Sequence, residues 1–293
     1  MKRILLLGLV CIVCRPVSLS AHFENASVGA RSQAMGGAFV ALADDGSALF
    51  INPAGMVTTE IVTFYGDYAE PPDREALSEA RLDALLPAGG TVFGVGWYRA
   101  GFGHGTVENL LVLGVARRIL EGTQGSFLSV GGSARIGRIA YDRDCDCPDS
   151  RGAVSDVTGD LGLILRPLPV ISVGYAIETL REVEFEVGGM PSRWRRVHRW
   201  GITYFWENKV VVSFEQEHLP DRTNRQYGFA LRTAIPLEVM AGFSEGTVGG
   251  GLRWVHERFR ASIVFSGDRD LGVTTRFGLE LPAGAGSRNR LKQ

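Results

Sequence analysis

From residue 57 onward the chain alternates with a period of two, and few folds accept that pattern over such a length. In KVVVSFEQEH, Val210, Val212 and Phe214 share one face, while Ser213, Glu215 and Glu217 share the other. In RWGITYFW, Trp200, Ile202, Tyr204 and Trp206 alternate with Arg199, Gly201 and Thr203. SVGGSARIG sets Val130, Ala134 and Ile136 against Gly131, Ser133 and Arg135. VTTRFGLE sets Val273, Phe277 and Leu279 against Thr274, Arg276 and Glu280. A soluble sandwich also alternates, but its apolar faces meet in a shared core. Here the second face repeatedly carries Arg, Glu, Gly and Ser, which suits a polar lumen. The apolar face carries Trp97, Trp200, Tyr204, Trp206 and Trp254, as an aromatic girdle beside lipid would. Hydrocarbon leaves no water to satisfy a free strand edge, so a membrane sheet must close on itself. The expected fold is all-β: a closed antiparallel transmembrane β-barrel.

Fourteen spans fit: 57–66, 79–86, 91–100, 107–117, 125–139, 157–166, 169–178, 194–206, 208–218, 223–233, 236–244, 246–256, 258–266 and 271–280. An even count is what bacterial single-chain barrels require. The span 79–86 also reads as a short helix, and a count of twelve keeps the same end for both termini. Gaps at 67–78, 140–156, 179–193, 219–222 and 267–270 are long or charged. Those at 87–90, 166–169, 207–208 and 233–236 are tight. Long extracellular loops and short periplasmic turns give this sorting. A lumen of this width exceeds what side chains fill at eight strands, so something plugs it or it stays open.

The N-terminus reads as a secretory signal over residues 1–20. Lys2 and Arg3 precede an apolar core too short to span a bilayer, and small residues lead up to Ala21. Residues 21–56 are the expected N-terminal plug or hatch segment, and within them 29–55 break the alternation. Met35-Gly36-Gly37-Ala38-Phe39-Val40 is small and apolar, Asp44-Asp45-Gly46-Ser47 reads as a turn or helix cap, and Asn52-Pro53-Ala54-Gly55 as a second turn. From the residues alone two readings are balanced: a plug folded back into the lumen, or a leader packed against the barrel end. Residues 57–280 are the expected barrel, and 281–293 a polar tail.

The remaining composition mostly excludes. Basic and acidic residues number 31 and 32, which gives no support for a nucleic-acid partner. Cys145 and Cys147 sit in an acidic loop without a histidine to complete a zinc set, so neither a metal nor another cofactor is expected. Gly131-Gly132-Ser133-Ala134-Arg135 lacks the second glycine of a nucleophile elbow, and neither HExxH nor a phosphate loop is present. No catalytic residue and no enzyme activity are expected. Arg193-Trp194-Arg195-Arg196 is a basic-aromatic cluster that suits lipopolysaccharide, a cargo protein or simply the headgroup level.

Gly29-Ala30-Arg31, Met35 to Ala41, Ala43-Asp44-Asp45 and Asn52-Pro53-Ala54-Gly55 resemble the N-terminal signature of the PorV/PorQ-like outer-membrane barrels, distant relatives of the long-chain fatty-acid transporter FadL. Leu161 to Pro167, Ser172 to Ala176 and Leu271 to Leu279 fit the same family. The resemblance implies a fourteen-stranded barrel in the Gram-negative outer membrane, with the N-terminal segment partly plugging it. It implies either passage of a small hydrophobic compound or service as a type IX-like secretion shuttle or envelope-assembly accessory. Outer-membrane lipid and lipopolysaccharide would surround it. The plug and hinge candidates are Gly29, Arg31, Met35, Gly36, Gly37, Phe39, Leu42, Asp44, Asp45, Asn52, Pro53 and Gly55. Of these, Met35, Phe39 and Leu42 are the candidates for ligand or wall contact, and Gly36 and Gly37 for hinges. Two departures stand out: little chain is left for large ligand-capturing loops, and the last strand is not C-terminal.

Overall fold

A computed structural model describes residues 29–70, 78–102, 106–141, 153–187, 190–207, 209–268 and 272–283. The expected signal sequence, the Cys145 and Cys147 loop and most of the polar tail lie outside them. Two short helices, α1 (Ala30–Ala34) and α2 (Ala48–Ile51), and a 3-10 turn, Pro53–Thr58, come first. The strands follow: β1 (Thr63–Glu70), β2 (Ser78–Ala88), β3 (Thr91–Phe102), β4 (Thr106–Glu121), β5 (Phe127–Tyr141), β6 (Ala153–Leu168), β7 (Ile171–Glu178) and β8 (Val183–Val187). The remainder are β9 (Met190–Trp194), β10 (Val197–Trp206), β11 (Val210–His218), β12 (Thr223–Arg232), β13 (Leu237–Ser244), β14 (Thr247–Val255), β15 (Arg260–Asp268) and β16 (Gly272–Pro282).

Fourteen of these strands form one closed antiparallel barrel in which each pairs with its neighbours in sequence. β1 closes it against β16, from Thr63 opposite Pro282 to Glu70 opposite Thr275. β8 and β9 stand apart as a hairpin between β7 and β10, which pair directly. The segment 79–86 is strand, not helix: it lies within β2, where the buried Arg81 and the exposed Leu82 take opposite faces. The first wall strand starts later than the alternation suggested, because the Asn52-Pro53 corner continues into a 3-10 turn before β1. Pro87 and Ala88 belong to β2, so its turn is only Gly89-Gly90, both at positive φ, as a tight two-residue hairpin demands. In β6 the ladder to β7 shifts between Leu165 and Leu168, around Pro167, which has no N–H to donate.

The two faces of the wall differ as the alternation requires. Phe93, Val95, Leu113, Leu163, Ile202, Phe229 and Leu252 point outward and are exposed. Trp206 and Trp254 lie on the outer face near the short-turn end. Farther up, Trp200, Phe214, Tyr227 and Phe243 form a continuous outer row, with ring centroids 5.5, 5.2 and 4.7 Å apart. A sheet with an apolar outer face of this extent is stable in lipid, not in water. No helix among the described residues is long and apolar enough to cross a membrane. Inward lie Arg81, Glu108, Arg135, Asp160, Arg199, Glu215, Glu238, Arg276 and Glu280, all buried.

Candidate functional site

What buries those charges is the N-terminal segment. Residues 30–57 run around and across the inside of the barrel, and Met35, Phe39, Val40, Leu49, Phe50 and Met56 have essentially no exposed surface. The wall accepts them through inward glycines, each three to seven residues from its strand's short-turn terminus. Gly278 faces Ala30, Gly242 faces Met35 and Gly36, Gly174 faces Val40 and Ala41, Gly131 faces Pro53 and Ala54, and Gly96 faces Leu49 and Phe50. A β-carbon at Gly174 would sit 2.6 Å from the Ala41 Cα, and one at Gly131 2.7 Å from the Pro53 carbonyl oxygen. These contacts are backbone against backbone, so no rotamer change relieves them. Glycine is needed there for close approach.

The segment turns where its own glycines allow. Gly36 and Gly37 have φ of 64° and 90°. The Gly37 N–H donates to the Ser32 carbonyl at 2.8 Å and reverses the chain after α1. Gly29 opens α1, its N–H donating to Ser32 Oγ at 2.8 Å. Asn52 is fully buried, and its side-chain amide donates to the carbonyls of Val40 at 2.8 Å and Leu163 at 3.2 Å. One side chain thus ties two parts of the segment to each other and to β6. The Asn52 Oδ1 also accepts the Ala54 N–H across Pro53. Gly55 packs against Ala43, closing the second turn onto the first half.

Polar wall groups then hold the segment. Glu215 accepts the N–H groups of Phe39 and Val40 at 2.8 and 2.7 Å and is itself paired to Arg199 at 3.0 Å. Ser172 donates to the Ala41 carbonyl at 2.7 Å, Ser129 to that of Ala54 at 3.0 Å, and Arg135 to that of Phe50. Gln33 donates to Ser266 at 2.7 Å and accepts from Arg276 at 2.8 Å. Arg31 pairs with Asp44 inside the segment and with Glu238 on β13 at 3.0 Å. Burial disfavours the Arg31 charge, yet Asp44 and Glu238 outweigh it and hold the guanidinium above the ordinary arginine range. Asp45 caps the next turn, accepting the Ser47 N–H at 2.8 Å.

The first half of the segment, Arg31 to Val40, meets the charged wall of β10 to β16. The second half, Leu49 to Met56, meets a mixed sector, in which Leu85, Val92, Tyr98, Leu110 and Val112 on β2 to β4 sit beside the buried Arg81, Asp83 and Glu108. The expected plug residues Met35, Phe39 and Leu42 all lie in the buried interior, where Arg31 also stacks over the Phe39 ring at 5.7 Å. Reading the segment alone missed its wall partners, Glu215, Glu238, Ser172, Ser129 and the glycines. Their signal was present in the alternation, as carboxylates, serines and glycines at inward positions.

The basic cluster lies elsewhere. Trp194 is only 4 % exposed, packed in the hairpin base with Val183, so the arginines alone face outward. Arg193 pairs with Glu184 at 3.1 Å, Arg195 with Asp221 at 3.0 Å, and the Arg196 side chain donates to the Leu180 carbonyl. The first and last of these stay within the hairpin and its base, and the Arg195 pair ties the hairpin to the β11–β12 loop. Among the described residues no group of His, Cys, Asp and Glu is arranged to hold a metal ion.

The fold has solved counterparts. The toluene transporter TbuX of Ralstonia pickettii is 14 % identical with a TM-score of 0.63, the match covering 89 % of this chain and all of that one. The Pseudomonas putida toluene transporter TodX is 13 % identical, with a TM-score of 0.61 over 86 % of this chain and 96 % of its own. A Pseudomonas aeruginosa FadL homologue is 9 % identical, with a TM-score of 0.60 over 86 and 97 %. No protein-family model matches the sequence, and no curated protein matches it significantly.

Proposed function

We propose that this chain is an outer-membrane barrel that passes a small hydrophobic compound, with residues 29–58 as its movable gate. The observation that carries the reading is a closed barrel with an apolar outer band whose cross-section is filled by one segment of its own chain. The fold likeness to barrels described as toluene transporters supports the hydrophobic cargo. The short turns and the N-terminal segment face the periplasm, and the apolar residues Val92, Leu110 and Val112 of β3 and β4 mark the side along which a hydrophobic compound travels once Leu49 and Phe50 withdraw. The PorV/PorQ-like signature keeps a second reading, a secretion or envelope-assembly accessory. The dense charged wall around the first half of the segment favours that alternative.

The test uses the full mature chain in vesicles of outer-membrane lipid, with labelled toluene and labelled oleate as probes. Saturable uptake of either, above that of protein-free vesicles, is the expected result. No uptake of either, together with stable co-purification of an exported protein from the native envelope, would favour the accessory reading.

A further inference from the structure

We infer that the joint between the N-terminal segment and the wall is a binding site for a small monovalent anion of halide size. A cavity of about 30 Å³ lies where α1 meets β1, β2 and β14 to β16. Four arginines line it, Arg31, Arg81, Arg253 and Arg260, with three carboxylates, Asp45, Asp67 and Glu280. The carboxylates are already engaged. Asp67 is paired with Arg81 at 2.8 Å and Arg276 at 2.6 Å, Glu280 with Arg253 at 2.5 Å and with Arg260, and Asp45 accepts the Ser47 N–H. Asp44 and Glu238 also pair with Arg31, and Asp83 with Arg81 at 3.3 Å. Arg31 Nη2 and Arg81 Nη1, which belong to lining residues, are buried without a hydrogen-bond partner, as are both oxygens of Asp83, which does not line the cavity. Charged donors so placed are costly unless an acceptor meets them.

Size and chemistry select the acceptor. The cavity holds one or two water-sized spheres, too little for a carboxylate or phosphate group with its substituent. A monatomic anion accepts from several N–H groups at once and has no proton of its own to place. Water would have to find acceptors for two protons among carboxylates that are already engaged. Arg31 belongs to the segment, and Arg81 and Arg253 to the wall, so an anion shared among them fastens one to the other. The site goes beyond the proposed transport and stands whether or not a hydrophobic compound passes.

Two measurements on the full chain test it. Crystals grown in sodium bromide are examined at the bromine edge. One anomalous peak within hydrogen-bond reach of both Arg31 and Arg81 is expected, and Arg81→Gln abolishes it while keeping heat-modifiable migration. Separately, the labelling rate of Ala34→Cys, a fully buried segment position, is compared in chloride and in isethionate at equal ionic strength. It rises at least about fivefold in isethionate, which is too large for the cavity, if anion binding stabilises the seated segment. Density explained by water alone, a peak that survives Arg81→Gln, or labelling indifferent to the anion overturns the site. The labelling comparison needs no arginine variant, so a misfolded Arg81→Gln does not shelter the proposal. Transport of toluene is not its readout, so its failure and that of the gate remain separate.

Discussion

Glu215, on wall strand β11, accepts the backbone N–H of Val40, in the luminal segment, at 2.7 Å. The same oxygen takes the Phe39 N–H at 2.8 Å, and the other takes Arg199. A fully buried carboxylate therefore organises the turn after Gly37 from 175 residues away in sequence. Glu215→Gln keeps an acceptor but removes its charge. Hydrogen bonds to a charged group contribute about 1.5–3 kcal/mol. Labelling of Ala41→Cys in the Gln variant should accelerate by roughly 10–100-fold, since each 1.4 kcal/mol is a factor of ten. Heat-modifiable migration should persist, because the ladders of β11 to β10 and β12 are untouched. Unchanged labelling would remove Glu215 from the account.

The glycine contacts give a steric prediction. Gly242→Val places branched carbons into the Met35–Gly36 backbone, a contact that no side-chain rotation relieves. The barrel should still close, but the segment should be displaced, giving open-channel conductance in planar bilayers and sensitivity of cells to large antibiotics. Gly267→Ala is the control. Nothing lies within 4 Å of its added carbon, so stability should stay within about 0.5 kcal/mol and the bilayer should stay silent.

Membrane depth is read by arginine substitution on the outer face. Leu163 points outward five positions from the short-turn end of β6, near mid-height of an apolar band about 25 Å tall. Leu163→Arg should cost about 2–4 kcal/mol in folding titrations into vesicles, whereas Val157→Arg, nearer the long-loop rim, should cost about 0–1. Equal costs at both depths would contradict the membrane reading.

At the long-loop end, Asp221 gives a pH signature. The hydrogen bond from Arg195 holds its carboxyl below the usual carboxylate range. The tie between the hairpin and the β11–β12 loop is thus fully present above the ordinary aspartate pKa and is lost as pH falls through the depressed value. Arg195→Gln should return the Asp221 titration, followed by NMR of the side-chain carbon, to the ordinary midpoint. A midpoint indifferent to Arg195 would show that the pair does not form.

Much of the barrel was legible because period-two alternation is a local property. Val210 to Glu217 display both faces of β11 without any knowledge of its neighbours. The start of β1 was less legible, because the 3-10 turn after Pro53 is rich in the same apolar residues as a strand. The seat of the segment was least legible. Nothing near Val40 announces Glu215, and nothing near Pro53 announces Gly131, since those pairings exist only once the sheet has closed. Trp194 shows the same limit: beside three arginines it read as a surface residue, yet Val183 across the hairpin buries it.

In the proposed function residues 29–58 close the lumen and must move for a compound to pass. A β-carbon at Gly228 would lie 2.9 Å from the Met35 Cβ, so a small relaxation reaches the roughly 3.5–4.5 Å that a disulfide requires. The measurement is uptake of labelled toluene by vesicles carrying Met35→Cys with Gly228→Cys, in a Cys145→Ser and Cys147→Ser background, oxidised and then reduced. Uptake at the level of protein-free vesicles when oxidised, restored by dithiothreitol, is the predicted result. Equal uptake in both states, or none in either, contradicts the claim.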